Sequence, residues 1–342
     1  MNTNVPLLSI DGLSKEFSGP FSLSRRLKGL PPISVKALNH VTLDVKRGET
    51  LGIVGESGCG KSTLARCMVR LYEPDGGAVR FEGKDISTLK GPERRAFNRR
   101  VQMIFQDPYG SLNPRMTVAQ ILGEALSVHR MRPKTEIPAR IAELIELVRL
   151  PEDAAHRRPH EFSGGQRQRI GIARALAVEP EVIVADELVS ALDVSVQAQV
   201  VNLLLQLQEK LKLTVVFVAH DLRLVRHISH RVAVMYLGQV MEIATAEALF
   251  TAPRHPYSKA LLDAAPDLDP ENRSRAVAAT GEIPSPMNVP PGCPFASRCP
   301  YVFDRCRTER PLLTPRGTGQ YAACHLTDFG AAEPPVPAST ET

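Results

Sequence analysis

Apolar residues along the chain fall into short runs whose period changes from one stretch to the next. Leu7 to Ile10 carries a short strand signal, and a polar loop is expected after it. Ser18 to Lys36, with Gly19, Pro20, Gly29, Pro31 and Pro32, reads as loop. In Ala37 to Val45 the residues Val41, Leu43 and Val45 alternate with polar ones, the period of a half-buried strand. Leu51 to Val54 is wholly apolar; it breaks into a glycine-rich stretch and passes into a helical pattern over Ser62 to Leu71, closed by Pro74 and Gly76-Gly77. Val118 to Val128 and Ala139 to Val148 repeat apolar residues at helical spacing on either side of Pro133 to Pro138. There follow a helix over Gln166 to Val178, a buried strand over Val182 to Ala185, a helix over Val194 to Leu211 and a buried strand over Thr214 to Ala219. Strands alternating with helices, and written as near-continuous Val/Ile runs, predict an α/β fold whose parallel sheet is covered on both faces. The helical stretch between Phe105 and Gln166 is expected as an insertion into it.

Composition changes this picture little. Of 342 residues 43% are apolar and 23% charged, an ordinary globular balance with room for about two domains. The net charge of +5 tolerates an anionic ligand or membrane surface without requiring a nucleic acid. No apolar run approaches the length of a membrane span, and the first residues show no secretory leader. After about Phe250 prolines become dense and cysteines appear. The expected organisation is a core over 1–250 with a helical subdomain at about 107–178, a small loop-rich unit over 251–330, and a disordered tail over 331–342. Cys293, Cys299, Cys306 and Cys324 supply four thiols in that unit, a soft donor set suited to Zn²⁺ or an iron–sulfur cluster, with no metal, or disulfides, as the third reading.

The glycine-rich stretch is the first piece of chemistry. Gly55-Glu56-Ser57-Gly58-Cys59-Gly60-Lys61-Ser62-Thr63 fits G-x-x-x-x-G-K-[ST] between an apolar strand and a helix, the context of a P-loop NTPase. Gly58 and Gly60 allow the backbone to curl its N–H groups around an anion, and the helix adds its positive end. Lys61 supplies charge to the β- and γ-phosphates of ATP, Ser62 a hydroxyl to Mg²⁺, and Thr63 stands near the α-phosphate. Cys59 is a small residue of the loop. Two acids, Asp186 and Glu187, close an apolar strand at the rim where α/β sheets place ligands. Asp186 is the candidate for holding Mg²⁺ and Glu187 the candidate general base for water. His220 ends another buried strand and Gln106 follows Met103-Ile104-Phe105; both are expected at the same rim, His220 on the γ-phosphate and Gln106 on metal and water. Ser163-Gly164-Gly165-Gln166 opens a helix with two glycines, which makes a second anion site or a plain Ser163 N-cap.

With Phe162 before it, that last motif completes a set. The phosphate loop, Gln106, Phe162 to Gln166, Asp186-Glu187, Ser190-Ala191-Leu192-Asp193 and His220, in this order, resemble the ATPase subunits of ABC transporters. Asp107-Pro108-Tyr109-Gly110-Ser111-Leu112-Asn113-Pro114-Arg115, Arg254-His255-Pro256-Tyr257 and Gly281 to Pro286 narrow the resemblance to importers of oligopeptides and dipeptides, nearest the second of their two ATPase subunits (OppF and DppF). The resemblance implies ATP sandwiched between two subunits, with Ser163 to Gln166 of one closing over the phosphate loop of the other and Asp193 at that interface. It implies Phe17 as the aromatic on adenine, with a core Phe as the alternative. It also implies a heterodimer with a second ATPase, two transmembrane permeases contacted through the helical insertion including Asn113-Pro114-Arg115, an extracytoplasmic binding protein, a peripheral place on the cytoplasmic face of the inner membrane, and a [4Fe–4S] cluster on the four cysteines. A different cargo, such as a nickel complex or a sugar, or a non-transport ATPase acting on nucleic acid, are the alternatives. Leu188 stands where the family usually has proline, which is expected to loosen the turn behind Glu187 while leaving both acids in place.

Overall fold

The computed structural model describes residues 6–19, 34–264, 284–285 and 287–326. Two sheets form the frame. The larger has eight strands in the order β11-β12-β10-β9-β3-β8-β7-β6, where β3 is Thr50–Val54, β6 Val101–Ile104, β7 Val182–Asp186, β8 Thr214–Val218, β9 Arg231–Tyr236, β10 Gln239–Thr245, β11 Thr314–Pro315 and β12 Tyr321–Ala322. From β6 to β9 every pairing is parallel. Beyond β9 the sheet turns antiparallel, so it is mixed rather than purely parallel. All residues of β3, β7 and β8 are buried. Their side chains alternate between two cores: Ile183, Ala185, Val215 and Phe217 face one, Val182, Val184, Val216 and Val218 the other. That alternation is why these strands are apolar throughout.

A smaller antiparallel sheet, β2-β1-β4-β5, covers the second core, with β1 Leu8–Ser18, β2 Ser34–Val45, β4 Gly76–Phe81 and β5 Lys84–Asp85. The first strand therefore does not stop at Ile10, and the second begins at Ser34 rather than Ala37. Register shifts between Ile10 and Leu13, and again up to Glu16, break the period-two pattern. The extension is polar because one face of this sheet meets solvent.

The helical insertion is built from helices Val118–Val128, Ile137–Leu147 and Gly164–Leu176. Thr117 caps the first by a reciprocal bond with Gln120. Their buried faces, including Leu122, Leu126, Leu144, Ile145 and Ile170, belong to the same core as the far face of the large sheet. The stretch after Phe250 also joins that core. Phe295 is fully buried in it, and β12 pairs with β10 through Glu242 and Ile243. Among the described residues, no helix is long and apolar enough to cross a membrane. The C-terminal tail from 331, Gly281 to Ile283 and Pro286 lie outside the described residues.

Candidate functional site

The rim at the C-terminal ends of the parallel strands collects the predicted chemistry. The loop after β3 makes a tight curl, with Gly58 at φ 77° and Gly60 at φ 104°. A Cβ on Gly60 would stand 2.2 Å from the carbonyl oxygen of Ala37, so only glycine fits there. Gly60 opens the helix Lys61–Met68 with no side-chain cap, leaving its first N–H groups aimed into the loop. Lys61 is only 4% exposed, and its Nζ donates to the carbonyl oxygens of Gly55 at 2.8 Å and Glu56 at 3.0 Å. Burial raises the pKa of the Cys59 thiol, which fits a small packing residue.

Ser62 Oγ donates to Asp186 Oδ1 at 2.8 Å, joining the helix to the end of β7. Asp186 is 1% exposed, and burial pushes its carboxyl up against the opposing hydrogen bond from Ser62. Gln106, just past β6, donates from Nε2 to Glu187 Oε2 at 2.7 Å. Glu187 has a left-handed backbone, φ 46°, an uncommon conformation for a non-glycine residue and one that concentrates at functional sites. The turn behind it is tied down: Glu187 N donates to Val218 O at 3.0 Å, and Gln168 Nε2 donates to the carbonyl of buried Leu188 at 2.6 Å. The turn around Leu188 is therefore hydrogen-bonded both to β8 and to the helix Gly164–Leu176. His220 is exposed and lines a small cavity of about 30 Å³ together with Glu187 and Gln197.

Ser163 and Gln166 form a reciprocal capping box, Gln166 N to Ser163 Oγ at 3.4 Å and Ser163 N to Gln166 Oε1 at 3.0 Å. The cap reading of Ser163 is what the geometry shows. Gly165 allows close packing, since a Cβ there would lie 2.3 Å from Val196 Cγ1 on the helix Val194–Leu211. Asp193 precedes that helix without capping it through its side chain, and both Asp193 and Val194 are exposed. Phe17 is 37% exposed on β1, edge-on to Tyr72 at 5.4 Å between ring centroids, so the core alternative does not hold.

Three residues without an expected role stand behind the loop. The Glu56 backbone N–H donates to Tyr257 Oη at 3.0 Å, and Arg298 Nη1 reaches both Glu56 carboxylate oxygens, at 2.9 and 2.8 Å. Tyr236 Oη accepts from the same nitrogen at 3.4 Å. A cavity of about 790 Å³ is lined by residues such as Arg140, Leu147 and Leu207, none of which belongs to this rim. A groove of about 650 Å³ has Gln106 in its wall together with Leu71, Met103, Phe105 and Arg174.

The four C-terminal cysteines are free thiols. Cys293 N donates to Cys306 O at 2.8 Å, and burial pushes the thiols of Cys293 and Cys299 up to about 12, with further raising by the neighbouring cysteines. Among the described residues no three His, Cys, Asp or Glu side chains are grouped so as to hold one metal ion. The donor chemistry suits a soft metal; the arrangement does not close on one.

Comparison with known proteins gives concordant results. The family described as "ABC transporter" matches residues 38–190, and that described as "Oligopeptide/dipeptide transporter, C-terminal region" matches 241–306. A putative peptide import ATP-binding protein of Brucella ovis is 49% identical over 94% of this chain and 98% of its own length. The putative oligopeptide transport ATP-binding protein YkfD of Bacillus subtilis is 53% identical over 86% of this chain and 90% of its own. The oligopeptide transport ATP-binding protein AppF of the same organism is 47% identical over 94% and 97%. Among solved structures, the dimeric post-hydrolysis state of the ATP-binding cassette MJ0796 bound to ADP and Pi superposes with a TM-score of 0.61 at 28% identity, covering 70% of this chain and 98% of that one.

Proposed function

Since this chain belongs to the ATP-binding proteins of ABC transporters of the oligopeptide/dipeptide type, we propose that it powers peptide import by hydrolysing ATP in a closed dimer with a second ATPase subunit. The observation that carries the reading is the convergence at one rim of Lys61, the Ser62–Asp186 bond and the Gln106–Glu187 bond. Three separate segments of chain supply these groups: Lys61-Ser62, Gln106 and Asp186-Glu187.

In this reading Gly55 to Thr63 wrap the phosphates through backbone N–H groups, and Lys61 exchanges the carbonyls of Gly55 and Glu56 for phosphate oxygens. The hydroxyl of Ser62 against the buried carboxylate of Asp186 is an oxygen pair that suits a hard cation, with Gln106 as the third residue of the Mg²⁺ set. When bound, Mg²⁺ neutralises charge on the phosphates. Glu187 accepts the proton of the attacking water, Gln106 aims its carboxylate, and His220 contacts the γ-phosphate. Phe17, exposed at the surface, stacks on adenine. Ser163 to Gln166 present a helix end to the partner's triphosphate, and exposed Asp193 lies along the same seam. The MJ0796 cassette, solved as a dimer, supports that assembly.

The groove beside Gln106 supports permease docking. It lies between the helical insertion and the core, it is apolar at Phe105, and Leu71 on its wall is 54% exposed. Motion of a helix seated there would reach the attacking water through Gln106. Two permeases would hold this chain on the cytoplasmic face of the inner membrane, and an extracytoplasmic binding protein would deliver the cargo. The relatives' names favour peptides over a nickel complex or a sugar, and they name no nucleic acid. A [4Fe–4S] cluster on Cys293, Cys299, Cys306 and Cys324, with Zn²⁺ as the alternative, is the smaller part of the proposal. The four-thiol donor set and the Cys293–Cys306 backbone bond support it, and the open spacing counts against it. Anaerobic purification followed by iron, acid-labile sulfide and zinc analysis decides it.

The test of transport is reconstitution. The chain, its second ATPase and the two permeases are placed in vesicles, and ATP turnover is measured with the binding protein loaded or empty. Peptide-loaded protein is expected to stimulate turnover. Stimulation only by a nickel chelate or a sugar would overturn the cargo. Failure to retain any membrane partner, with salt-sensitive binding to DNA or RNA instead, would overturn import.

A further inference from the structure

The variable second residue of the phosphate loop is a glutamate, which places a negative charge beside a site meant for polyanions. The structure shows how that charge is held. Glu56 is gripped twice from the C-terminal part of the chain: its backbone N–H by Tyr257 at 3.0 Å, and its carboxylate by Arg298 at 2.9 and 2.8 Å. Arg298 is not a surface arginine; its side chain is 8% exposed. Its guanidinium carbon sits 5.8 Å from the ring centroids of both Tyr236 and Phe295. Phe295 packs edge-on against Tyr236 at 5.5 Å and tilted against Tyr257 at 5.3 Å. Three aromatic rings from β9, the helix Pro256–Ala264 and the C-terminal segment thus form one base under the loop. Its floor is continuous with the sheet, because a Cβ on Gly55 would lie 2.1 Å from Met235 O.

We infer that the C-terminal segment is a working part of the nucleotide site: Arg298, seated on Tyr236 and Phe295, acts with Tyr257 as a positioning group that draws the Glu56 carboxylate away from the phosphates and sets the loop's affinity for a nucleoside triphosphate. The inference rests on Gly55 to Thr63 holding ATP. Its physical content is electrostatic. A carboxylate neutralised by a nearly buried guanidinium repels the triphosphate weakly. The same carboxylate left without its partner, its side chain only 21% exposed, repels it more strongly. Removing the arginine therefore does more harm than removing both members of the pair. A purely structural role for Arg298 predicts the reverse order.

The experiment measures MgATP binding to the full-length chain by titration, with thermal unfolding of each variant alongside. Arg298→Ala is expected to weaken binding about tenfold, equivalent to about 1.4 kcal/mol. Adding Glu56→Gln to it is expected to restore binding to within about threefold of the parent. Arg298→Lys, which keeps the charge and is the variant to use if alanine does not fold, is expected to fall between the parent and Arg298→Ala, and to gain when Glu56→Gln is added. Parent-like binding by Arg298→Ala, or a double variant as weak as or weaker than the single, overturns the inference. Lys61→Ala separates the two levels of the argument. If Lys61→Ala binds MgATP like the parent, the ATP site itself is misplaced. If Lys61→Ala loses binding while Arg298→Ala keeps it, only the role of Arg298 fails.

Discussion

Changing Glu187 to Gln isolates the proposed base from everything else the residue does. The fixed part of Glu187 is its backbone: φ 46°, an N–H donated to Val218 at 3.0 Å, and a carbonyl that accepts from Ser190 N at 3.2 Å and Ser190 Oγ at 3.1 Å. None of these involves the carboxylate. The side chain has one partner of note, Gln106 Nε2 at 2.7 Å, and an amide oxygen can take the same bond. Stability should therefore change by no more than about 0.5 kcal/mol. Binding should hold as well, since Lys61 and the Ser62–Asp186 pair are untouched. Turnover loses a proton acceptor, which is worth about 10²–10⁴ in rate, or roughly 3–5.5 kcal/mol of barrier. The assay is phosphate release at saturating MgATP by the assembled transporter, together with nucleotide binding and thermal unfolding of the same preparation. Undiminished turnover refutes the assignment of the base. Turnover lost in parallel with ATP binding refutes the claim that Glu187 acts on water alone.

Other changes probe the frame. Gly60→Ala places a Cβ 2.2 Å from Ala37 O at a left-handed backbone position, so MgATP binding should fall at least tenfold while circular dichroism stays near the parent's; parent-like binding would show that the loop need not keep this curl. Gly165→Ala pushes a methyl group to 2.3 Å from Val196 Cγ1, destabilising by about 1–3 kcal/mol, and Val196→Ala on top should recover part of that loss in denaturant titration; no recovery means the clash lies elsewhere. Phe295→Ala removes a fully buried ring and should cost about 3–5 kcal/mol in the same assay; a loss under 1 kcal/mol would place the C-terminal segment outside the core. Stability against pH tests the knot formed by Glu242, which accepts from the backbone N–H groups of Arg254 and His255 at 2.7 and 2.9 Å. Burial holds His255 down to about 3, so the native state binds fewer protons than the unfolded chain, and its contribution is lost as pH falls from 6.5 towards 3. Burial lifts Glu242 to about 7, so its contribution runs the other way and is lost as pH rises from 4.5 to 7. Between pH 4.5 and 6.5 the two oppose each other. His255→Gln should expose the Glu242 slope, with stability relative to the parent falling by about 1.4 kcal/mol per pH unit of increase; parallel curves would refute it.

What the residues disclosed in advance follows from how local each signal is. The phosphate loop is nine consecutive residues whose conformation is set by its own glycines, so its place between β3 and a helix was legible. Strands β7 and β8 were legible because burial on both faces leaves no polar position. The far end of β1 was not, since Ser14, Lys15, Glu16 and Ser18 are polar and register shifts scramble what alternation remains. Strands β9 and β10 carried a signal that could have been used: Val232-Ala233-Val234-Met235, then Leu237-Gly238 with φ of 44° and 74°, the two left-handed residues of a tight hairpin. The roles of Tyr257 and Arg298 had no local signal at all. They meet Glu56 across 201 and 242 residues of chain, and only the folded sheet brings them together.

The same contacts say what the isolated chain lacks under the proposed mechanism. Each charged group of the rim already has a partner within the chain: Lys61 the loop carbonyls, Asp186 the hydroxyl of Ser62, Glu187 the amide of Gln106, Glu56 the guanidinium of Arg298. A triphosphate must displace the first of these, and its negative charge is what makes the exchange favourable for a buried ammonium. Ser163 and Gln166 differ, because their side chains serve the helix they begin, and the anion-binding capacity left there is the backbone N–H end of Gly164 and Gly165. A helix end is a weak site alone and a strong one when a second charged surface closes water out. Under the proposed function, the phosphate loop of another subunit, carrying its own ATP, would be such a surface. Under the proposed mechanism, hydrolysis breaks that bridging anion into ADP and phosphate without lowering the total negative charge; the two surfaces would then no longer be joined through one covalently bonded triphosphate, and departure of the phosphate would let the subunits separate.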